Sequence, residues 1–350
     1  MDHEKSHLTA LDGLRGFAAL LVVISHSANH GLLPPILGNG LGKMGVIVFF
    51  GLSGFLMGYL YGQKDLTGKA LWDYAVNRGT RVLPLYYFTV FIAIISFYAF
   101  DFVLLNSDGP LAIVQNIAMI RGSSTLWTIP VEIHFYFLFV IVWIFAIRSQ
   151  SLTIAAALLS FQLVGYLALD FFGVGLKASI FAWLHIFLAG SLLGIHYPSL
   201  REEFAAIGES RLLSFLGWIV LVSAVFAIPG VRRELGIPMA AQYLDPITVG
   251  YPLLVLVLTV FAVGPLVIFR HHILRWFGKI SYSLYLLHLI VLTFVKLAII
   301  NGLMPAQLGF PATLAVSSLA AWAAYTHLER PSQKALRSML RSVVERRVPS

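Results

Sequence analysis

We expect an all-α fold, a polytopic membrane helix bundle of about ten transmembrane helices with both termini in the cytoplasm. Composition is the first indication: 59% of the 350 residues are hydrophobic and only 11% are charged, whereas soluble domains have about 25% charged residues. The second is that apolar stretches close to the roughly 20 residues that cross a bilayer recur along the whole chain. The third is an alternation of Lys and Arg between successive loops.

Ten stretches are candidate spans. They lie near residues 10–29, 45–61, 83–100, 127–147, 152–169, 179–196, 212–228, 247–268, 281–300 and 311–327. The second is short and rich in glycine, and the segment 102–126 could hold a partial or re-entrant helix. We interpret residues 1–331 as a single transmembrane domain and residues 332–350 as a basic cytoplasmic tail, suited to a surface of anionic lipid.

Positive charge predicts the orientation. With ten spans, the N-terminus, the loops after even-numbered spans and the C-terminal tail together carry 17 Lys and Arg residues. The opposite loops carry five, which are Lys43, Arg121, Lys177, Arg232 and Arg233. Because Lys and Arg are concentrated in cytoplasmic loops, both termini are predicted to be cytoplasmic. The net charge of +8 therefore indicates loop charge rather than nucleic-acid binding.

Several kinds of chemistry are excluded by the residues that the chain lacks. It contains no cysteine, which excludes a disulfide framework, a thiolate zinc site, an iron–sulfur cluster and a cysteine nucleophile. His271 and His272 are adjacent and lack the spacing of a zinc motif, so no metal site is predicted. No cleavable signal peptide is evident, because Arg15 and His26 interrupt the first apolar run.

The first span, LDGLRGFAALLVVISHSANH, is apolar but contains Asp12, Arg15 and His26. An 11-residue separation returns Arg15 and His26 to nearly the same helical face after a rise of about 16 Å. Asp12 lies one turn before Arg15 and is a candidate partner for it. Intramembrane ionisable residues usually face a cavity, and histidine is a common general base, so we predict a functional role for His26. Snorkelling to the interface is the alternative for Arg15.

The second span, MGVIVFFGLSGFLMGYLYG, places Gly54, Gly58 and Gly62 at every fourth position. Small residues at this spacing form a ridge that lets helices approach closely, so we predict a packing surface. Ser53 is a nucleophile only in principle, because no neighbouring base is evident in the sequence.

The third and fourth spans carry the next charged residues. In YAVNRGTRVLPLYYF, Arg78 and Arg81 share a helical face at the predicted cytoplasmic start of the third span. Two guanidinium groups there suit phosphate recognition, and ordinary cytoplasmic anchoring is the alternative. In LWTIPVEIHFYF, Glu132 lies inside an apolar helix and must be paired, protonated or in contact with water. It could orient His26 or contact an acceptor hydroxyl, whereas His134 points elsewhere and is interpreted as structural.

The last two spans carry fewer polar residues. ISYSLYLLHLIV places His288 in the inner half of the ninth span, and HLERP places Glu329 and Arg330 at the inner end of the tenth. We interpret these residues as structural.

Together and in this order, the segments resemble acyltransferase family 3, the integral-membrane O-acyltransferases of bacteria. LDGLRGFAALLVVISH is similar to the family's opening motif, an arginine and a histidine separated by ten residues. FFGLSGFLM, NRGTRVLPLYY, LWTIPVEIHFYF, SYSLYLLH and LERP are similar to its later motifs, and the resemblance runs from residue 8 to 331. It departs at Ile133, where the family often has a second acidic residue. The form expected is the stand-alone one, without the SGNH-type hydrolase domain fused to some members.

The resemblance implies a reaction and a set of site residues. The donor would be a cytoplasmic acyl-coenzyme A, most simply acetyl-CoA. The acceptor would be a hydroxyl of a surface or lipid-linked glycan, such as an exopolysaccharide or lipopolysaccharide precursor, or of a secreted small molecule. His26 would be the catalytic general base, with an acyl-histidine intermediate as the variant. Arg15 would be essential beside it, Glu132 would match a catalytic glutamate, and Arg78 and Arg81 would belong to the donor site.

The same resemblance implies a multi-pass protein of the bacterial cytoplasmic (inner) membrane, with lipid and no nucleic acid as partners. Two rival functions stay open. One is a proton-coupled transporter that uses Arg15, His26 and Glu132 as a relay, and the other is a non-enzymatic scaffold in polysaccharide assembly. A transporter would move its substrate without coenzyme A, and a scaffold would tolerate alanine at His26 or Arg78. The acceptor, the acyl chain length and the oligomeric state are not predicted.

Overall fold

The computed structural model describes residues 2–105, 109–207, 211–241, 243–261 and 263–345. Side chains are described for all of these residues except 2–8, 205–207, 211–212 and 343–345. The end of the predicted tail, residues 346–350, lies outside the described residues. Within the described ranges the chain is helical and contains no strand, which confirms the all-α prediction. The helices are α1 Asp2–Asn29, α2 Leu41–Tyr61, α3 Gly68–Phe100, α4 Pro110–Ile117, α5 Thr128–Ala146, α6 Ser151–Phe171, α7 Ile180–Ile207, α8 Arg211–Ala227, α9 Pro229–Glu234, α10 Pro246–Val260, α11 His272–Ile300, α12 Gly309–Ala324 and α13 Arg330–Glu345.

The lengths of these helices confirm a multi-pass membrane protein. In the described residues, 8 helical segments are long and apolar enough to cross a bilayer. A ninth is counted if α10 and the following 3₁₀ helix Gly264–Arg270, which are bent by 83° relative to each other, form one span. The apolar stretch Leu213–Ala227 in α8 is shorter and coincides with the seventh predicted span. The partial segment predicted within residues 102–126 is the eight-residue helix α4.

The helix of the third predicted span begins well before that span. α3 begins at Gly68 rather than near residue 83, because the Thr67 side chain accepts a hydrogen bond from the backbone N–H of Ala70 (3.1 Å) and caps the helix. Pro84 lies inside α3 without ending it. The predicted position of Arg78 and Arg81 at the cytoplasmic start of the third span stays a prediction, because α3 extends beyond that span on the N-terminal side. Both lie well inside α3, and Arg78 is only 7% exposed.

The predicted glycine ridge packs α2 against α7. A Cβ atom on Gly54 would lie 2.1 Å from the carbonyl oxygen of Phe187, and one on Gly58 would lie 2.2 Å from that of Ser191. The contact is reciprocal, because Gly190 and Gly194 of α7 meet the α2 backbone equally closely. Small residues on both helices thus allow backbone contact, and α2 becomes the central helix on which the cavities described below are built.

We expect Gly54→Ala to destabilise the fold strongly, because its new methyl group would meet a helix backbone that cannot move alone. Overpacking of this kind costs about 1–3 kcal/mol or more. Gly250→Ala in α10 is the matched control, since no atom lies within 4 Å of a Cβ there, and alanine is the better helix former. Thermal unfolding in detergent measures both. Equal midpoints for the two variants would contradict the packing role.

The basic tail is helical from its start. α12 continues through the π-helical turn Tyr325–Glu329 into α13. α13 contacts the N-terminal half of α3: Arg341 forms an ion pair with Asp73 (3.3 Å), and Arg337 Nε donates to the Thr80 hydroxyl (3.3 Å). The boundary at residue 331 stays a prediction, and the helix that follows it lies beside the turn of α3 that carries Arg78.

Candidate active site

Two cavities lie along α1, and we name them after the predicted orientation. The inner cavity has a volume of about 70 Å³ and is formed by α1, α2, α3, α5 and α11. Its charged and hydroxyl-bearing lining residues are Arg15, Ser53, Arg78, Arg81, Thr128, Glu132, Ser281, Tyr282 and Tyr285. Four of the five predicted site residues therefore meet at one place, although they come from three helices.

Glu132 is held by two hydroxyl groups. Ser53 Oγ donates to Glu132 Oε1 at 2.7 Å, and the Tyr136 hydroxyl donates to the same oxygen at 2.6 Å. These bonds satisfy part of the cost of placing a carboxylate in an apolar helix. The suggestion that Glu132 orients His26 is wrong, because its hydrogen bonds go to Ser53 and Tyr136. The contact also gives Ser53 a carboxylate neighbour that the sequence did not reveal.

The three arginines of the inner cavity have no carboxylate partner. Within the described residues, neither Arg15, Arg78 nor Arg81 forms an ion pair, so Asp12 does not pair with Arg15. The Arg78 guanidinium lies 5.6 Å from the centre of the Tyr61 ring, and its buried Nε has no hydrogen-bond partner. Guanidinium groups in this state are costly unless they bind an anion. The cavity is therefore suited to an anionic group.

His26 lines the second cavity, which is larger. The outer cavity has a volume of about 460 Å³ and lies at the end of α1 that is predicted to face outside. Its polar lining residues are Ser25, His26, Asn29, Asn39, Lys43, Ser124, Thr125, Trp127, Lys177, Arg233 and Tyr285. The structure thus separates His26 from Arg15, which are about 16 Å apart along the helix.

Two residues, Val46 and Tyr285, line both cavities. Tyr285 is buried, and its hydroxyl donates to the backbone oxygen of Thr125 at 3.1 Å. The two cavities are therefore adjacent and share these two side chains. A reactive group that passes from one to the other would connect the arginines with His26.

His288, which the sequence analysis interpreted as structural, lies beside His26. Its ring centre lies 5.2 Å from that of His26, and the side chain is fully buried. Nδ1 lies 2.8 Å from the carbonyl oxygen of Tyr285 and 3.1 Å from that of Leu284. Because a carbonyl only accepts, Nδ1 carries the hydrogen and Nε2 has the lone pair. Nε2 has no partner. The sequence singled out His288, but only packing of α11 on α1 brings the two rings together.

Neither His134 nor Glu329, which the sequence also singled out, belongs to the lining of the two cavities. Glu329 accepts a hydrogen bond from the Ser283 hydroxyl at 2.6 Å and joins the π-helical turn to α11. Within the described residues, no group of three or more His, Asp or Glu side chains could hold a metal ion.

A buried ion pair supports the mouth of the outer cavity. Arg232 Nη1 lies 2.5 Å from Asp245 Oδ1, and the two side chains are 2% and 3% exposed. Asp245 also caps α10 by accepting from the N–H of Thr248 at 2.8 Å. The hydrogen bond from Arg232 holds the pKa of Asp245 well below its usual range. The pair fixes α9, and with it Arg233, against the start of α10.

We expect Asp245→Asn to lower the free energy of unfolding by about 3–5 kcal/mol at neutral pH, because it leaves a buried guanidinium without its counter-ion. Since the pKa of this carboxyl is depressed by folding, the stabilisation is present above its unfolded value near 3.9 and is lost as pH falls below it. The difference between wild type and variant should stay constant from about pH 8 to about pH 5 and narrow below about pH 4. Unfolding curves over this range measure it, with the exposed Asp101→Asn as control; a difference that already narrows at pH 6 would contradict the assignment.

The fold and the site define a class: a multi-pass helical membrane protein with a charged interior. The acyltransferase family 3 model, described as an acyltransferase domain, matches residues 8–326, and the chain belongs to this family.

Individual relatives agree with this assignment. A protein of Staphylococcus aureus strain COL, which carries the provisional name of an O-acetyltransferase, is 26% identical over 94% of this chain. The O-acetyltransferase OatA of S. aureus strain NCTC 8325 is 24% identical over 94% of this chain. The exopolysaccharide production protein ExoZ of Rhizobium meliloti is 26% identical over 83% of this chain and 89% of its own length. The chain spans only 58% and 57% of the lengths of the two S. aureus relatives. No solved structure matches.

Proposed function

We propose that this chain is a membrane O-acyltransferase of the bacterial cytoplasmic (inner) membrane. It would move an acyl group, most simply acetyl, from cytoplasmic acyl-coenzyme A to a hydroxyl of a surface or lipid-linked glycan. One observation carries the proposal: three arginines that form no ion pair with a described residue line a cavity that shares Val46 and Tyr285 with the cavity of His26. A donor with phosphates at one end and a thioester at the other would span this arrangement.

The inner cavity suits the charged part of the donor. Arg78 and Arg81 share a face of α3, and Arg15 faces the same space from α1. Guanidinium groups bind phosphate oxygens through paired hydrogen bonds. A volume of about 70 Å³ holds about five water-sized groups, so most of the donor would lie toward the cytoplasmic ends of α1 and α3. There α13 contributes Arg337 and Arg341.

The outer cavity suits the acceptor. In the proposed reaction His26 takes the proton of an acceptor hydroxyl while the hydroxyl oxygen bonds to the thioester carbon. The carbon–sulfur bond then breaks, and the sulfur leaves with the proton as free coenzyme A. Backbone dipoles would stabilise the oxyanion that forms between these steps, because Arg15 lies about 16 Å from His26 along α1 and would contact the donor instead. Transfer through an acyl group on His26 is the variant with the same products.

Glu132 would not take part in the bond-making steps and would support the site through its hydroxyl partners. Its carboxylate offsets part of the positive charge of the inner cavity. The hydrogen bond from Ser53 joins α2 to α5, and the hydrogen bond from Tyr136 lies within α5. The transporter alternative needs Arg15, His26 and Glu132 in one proton relay. That alternative is weaker, because His26 lines a different cavity from Arg15 and Glu132.

The names of the relatives support a glycan acceptor and an acetyl group. OatA is named as an O-acetyltransferase and ExoZ as an exopolysaccharide production protein. The test is release of free coenzyme A by the purified protein in lipid nanodiscs. Acetyl-CoA and longer acyl donors are supplied with and without an exopolysaccharide or lipid-linked sugar fraction. Acceptor-stimulated release is the expected result. No release and no binding with any donor would contradict the proposal and favour the transporter or the scaffold.

A further inference from the structure

The outer cavity concentrates positive charge on the side of the protein that is otherwise poor in it. Five Lys and Arg residues lie in the loops predicted to face outside, and three of them, Lys43, Lys177 and Arg233, line this one cavity. They come from α2, from the loop before α7 and from α9. Because the outer loops contain few such residues, their meeting at one place is not explained by orientation of the chain in the membrane.

Among the described residues, no carboxylate forms an ion pair with any of these three charges. The outer cavity has no Asp or Glu in its described lining. The remaining two outer cations are engaged elsewhere: Arg232 pairs with Asp245, and Arg121 donates to the carbonyl oxygen of Gly175 at 2.9 Å. The cavity of His26 therefore has a local charge of three positive groups, with no internal counter-ion.

The position of the charges suits a ligand that reaches in from outside. Lys177 and Arg233 are exposed at the mouth, and Lys43 is half-buried further in. The Lys177 ammonium lies over the Trp127 ring, 5.9 Å from its centre, so the cation is positioned against a side chain of the cavity lining. Cations bind carboxylate or phosphate groups through charge-assisted hydrogen bonds.

We propose that the outer cavity selects an anionic acceptor: a sugar that carries a carboxylate or phosphate group close to the hydroxyl that is acylated. Lys177 and Arg233 bind the negative group at the mouth, Lys43 attracts it inward, and the hydroxyl is thereby held near His26. This rests on the proposed function and deepens it, since it names the chemical class of the acceptor. The phosphates of the donor are assigned to the inner cavity, where Arg15, Arg78 and Arg81 would bind them.

The experiment measures sugar binding without any transfer. Wild-type protein in nanodiscs of neutral lipid is titrated with glucuronate, glucose 1-phosphate and glucose, as carboxylate, phosphate and uncharged probes. We expect at least one of the two charged sugars to bind with a Kd at least about tenfold lower than that of glucose. The difference in Kd should shrink as the salt concentration rises from about 0.05 M to about 0.5 M. The charged sugar that binds more tightly shows whether the cavity recognises a carboxylate or a phosphate.

Charge-neutralising variants connect this preference to the cavity. The Lys177→Gln/Arg233→Gln double variant should bind charged sugars no better than glucose. Arg121→Gln is the matched control, because it removes an outer charge outside the cavity and keeps a donor for Gly175. It should retain the preference. Equal binding of all three probes by wild type would overturn the proposal, as would a preference that survives in the double variant or is lost equally in the control.

Coenzyme A titrations and turnover separate this proposal from the proposed function. Loss of coenzyme A binding in the double variant, with sugar binding unchanged, would make the outer cavity a donor site and overturn the acceptor assignment. Acyl transfer to neutral and charged acceptors at equal kcat/KM would leave the acyltransferase intact and refute the selection. Charge-dependent sugar binding without release of coenzyme A from any donor would leave the anion site standing and refute the proposed function.

Discussion

Replacement of His26 by alanine is expected to lower the rate of acyl transfer by roughly 10²- to 10⁴-fold, the contribution usual for a positioned general base. The side chain is half-buried in the wall of the outer cavity, and its ring lies 5.2 Å from that of His288. Alanine keeps the helix and removes the proton acceptor. Initial rates of coenzyme A release with saturating donor and acceptor measure the effect, which should fall on kcat.

His134→Ala is the matched control for this loss. His134 is also a half-buried histidine in a membrane-spanning helix, but it lines neither cavity. We expect its turnover to remain close to that of wild type, and both variants should elute as single species with similar thermal midpoints. Substantial turnover by a folded His26→Ala protein, or an equal loss in His134→Ala, would remove His26 as the base and as an acylated intermediate.

The second large effect is expected on donor binding. The Arg78→Ala/Arg81→Ala double variant removes two of the three guanidinium groups of the inner cavity. A hydrogen bond to a charged group contributes about 1.5–3 kcal/mol, so loss of even one phosphate contact should raise the donor Kd by roughly 10- to 150-fold. Direct titration with a non-hydrolysable acyl-CoA analogue measures the Kd, and KM for the donor should rise in parallel.

Two comparisons make this result interpretable. Arg148→Ala removes an exposed arginine at the end of α5 that lines neither cavity, and it should bind the donor like wild type. Arg78→Lys/Arg81→Lys keeps both charges and loses the planar fork, so its affinity should lie between those of wild type and the alanine variant. An unchanged donor Kd in the folded alanine variant would place the phosphates elsewhere.

The broad architecture could be predicted because the bilayer constrains it so strongly. A chain in hydrocarbon must form its backbone hydrogen bonds within helices, so runs of apolar residues report the spans directly. The ends of helices were harder to predict. α3 starts at Gly68 because of the Thr67 cap, and α11 starts at His272 rather than near residue 281. In both helices polar residues extend beyond the apolar run, where hydropathy gives no signal.

The candidate site was predicted in part. The charged residues inside apolar helices, Arg15, His26 and Glu132, were visible because such residues are expensive in a membrane. Their partners were not visible. Glu132 meets Ser53 from α2, although 79 residues separate them, and His26 meets His288 across the packed helices α1 and α11. Neither contact could be predicted from the spacing of the two residues in the sequence.

The sequence by itself therefore determined the helical membrane class, the glycine ridge of α2, the family and the short list of ionisable residues inside the spans. Each of these is a property of one helix or of composition, and it follows from solvation by the bilayer. Only the tertiary structure decided that the arginines and His26 line two adjacent cavities, that Val46 and Tyr285 belong to both, and that three outer cations line the second. Those arrangements depend on how helices distant in sequence rotate and pack against one another. Side-chain contacts across the whole bundle determine that packing jointly, so no single segment predicts it.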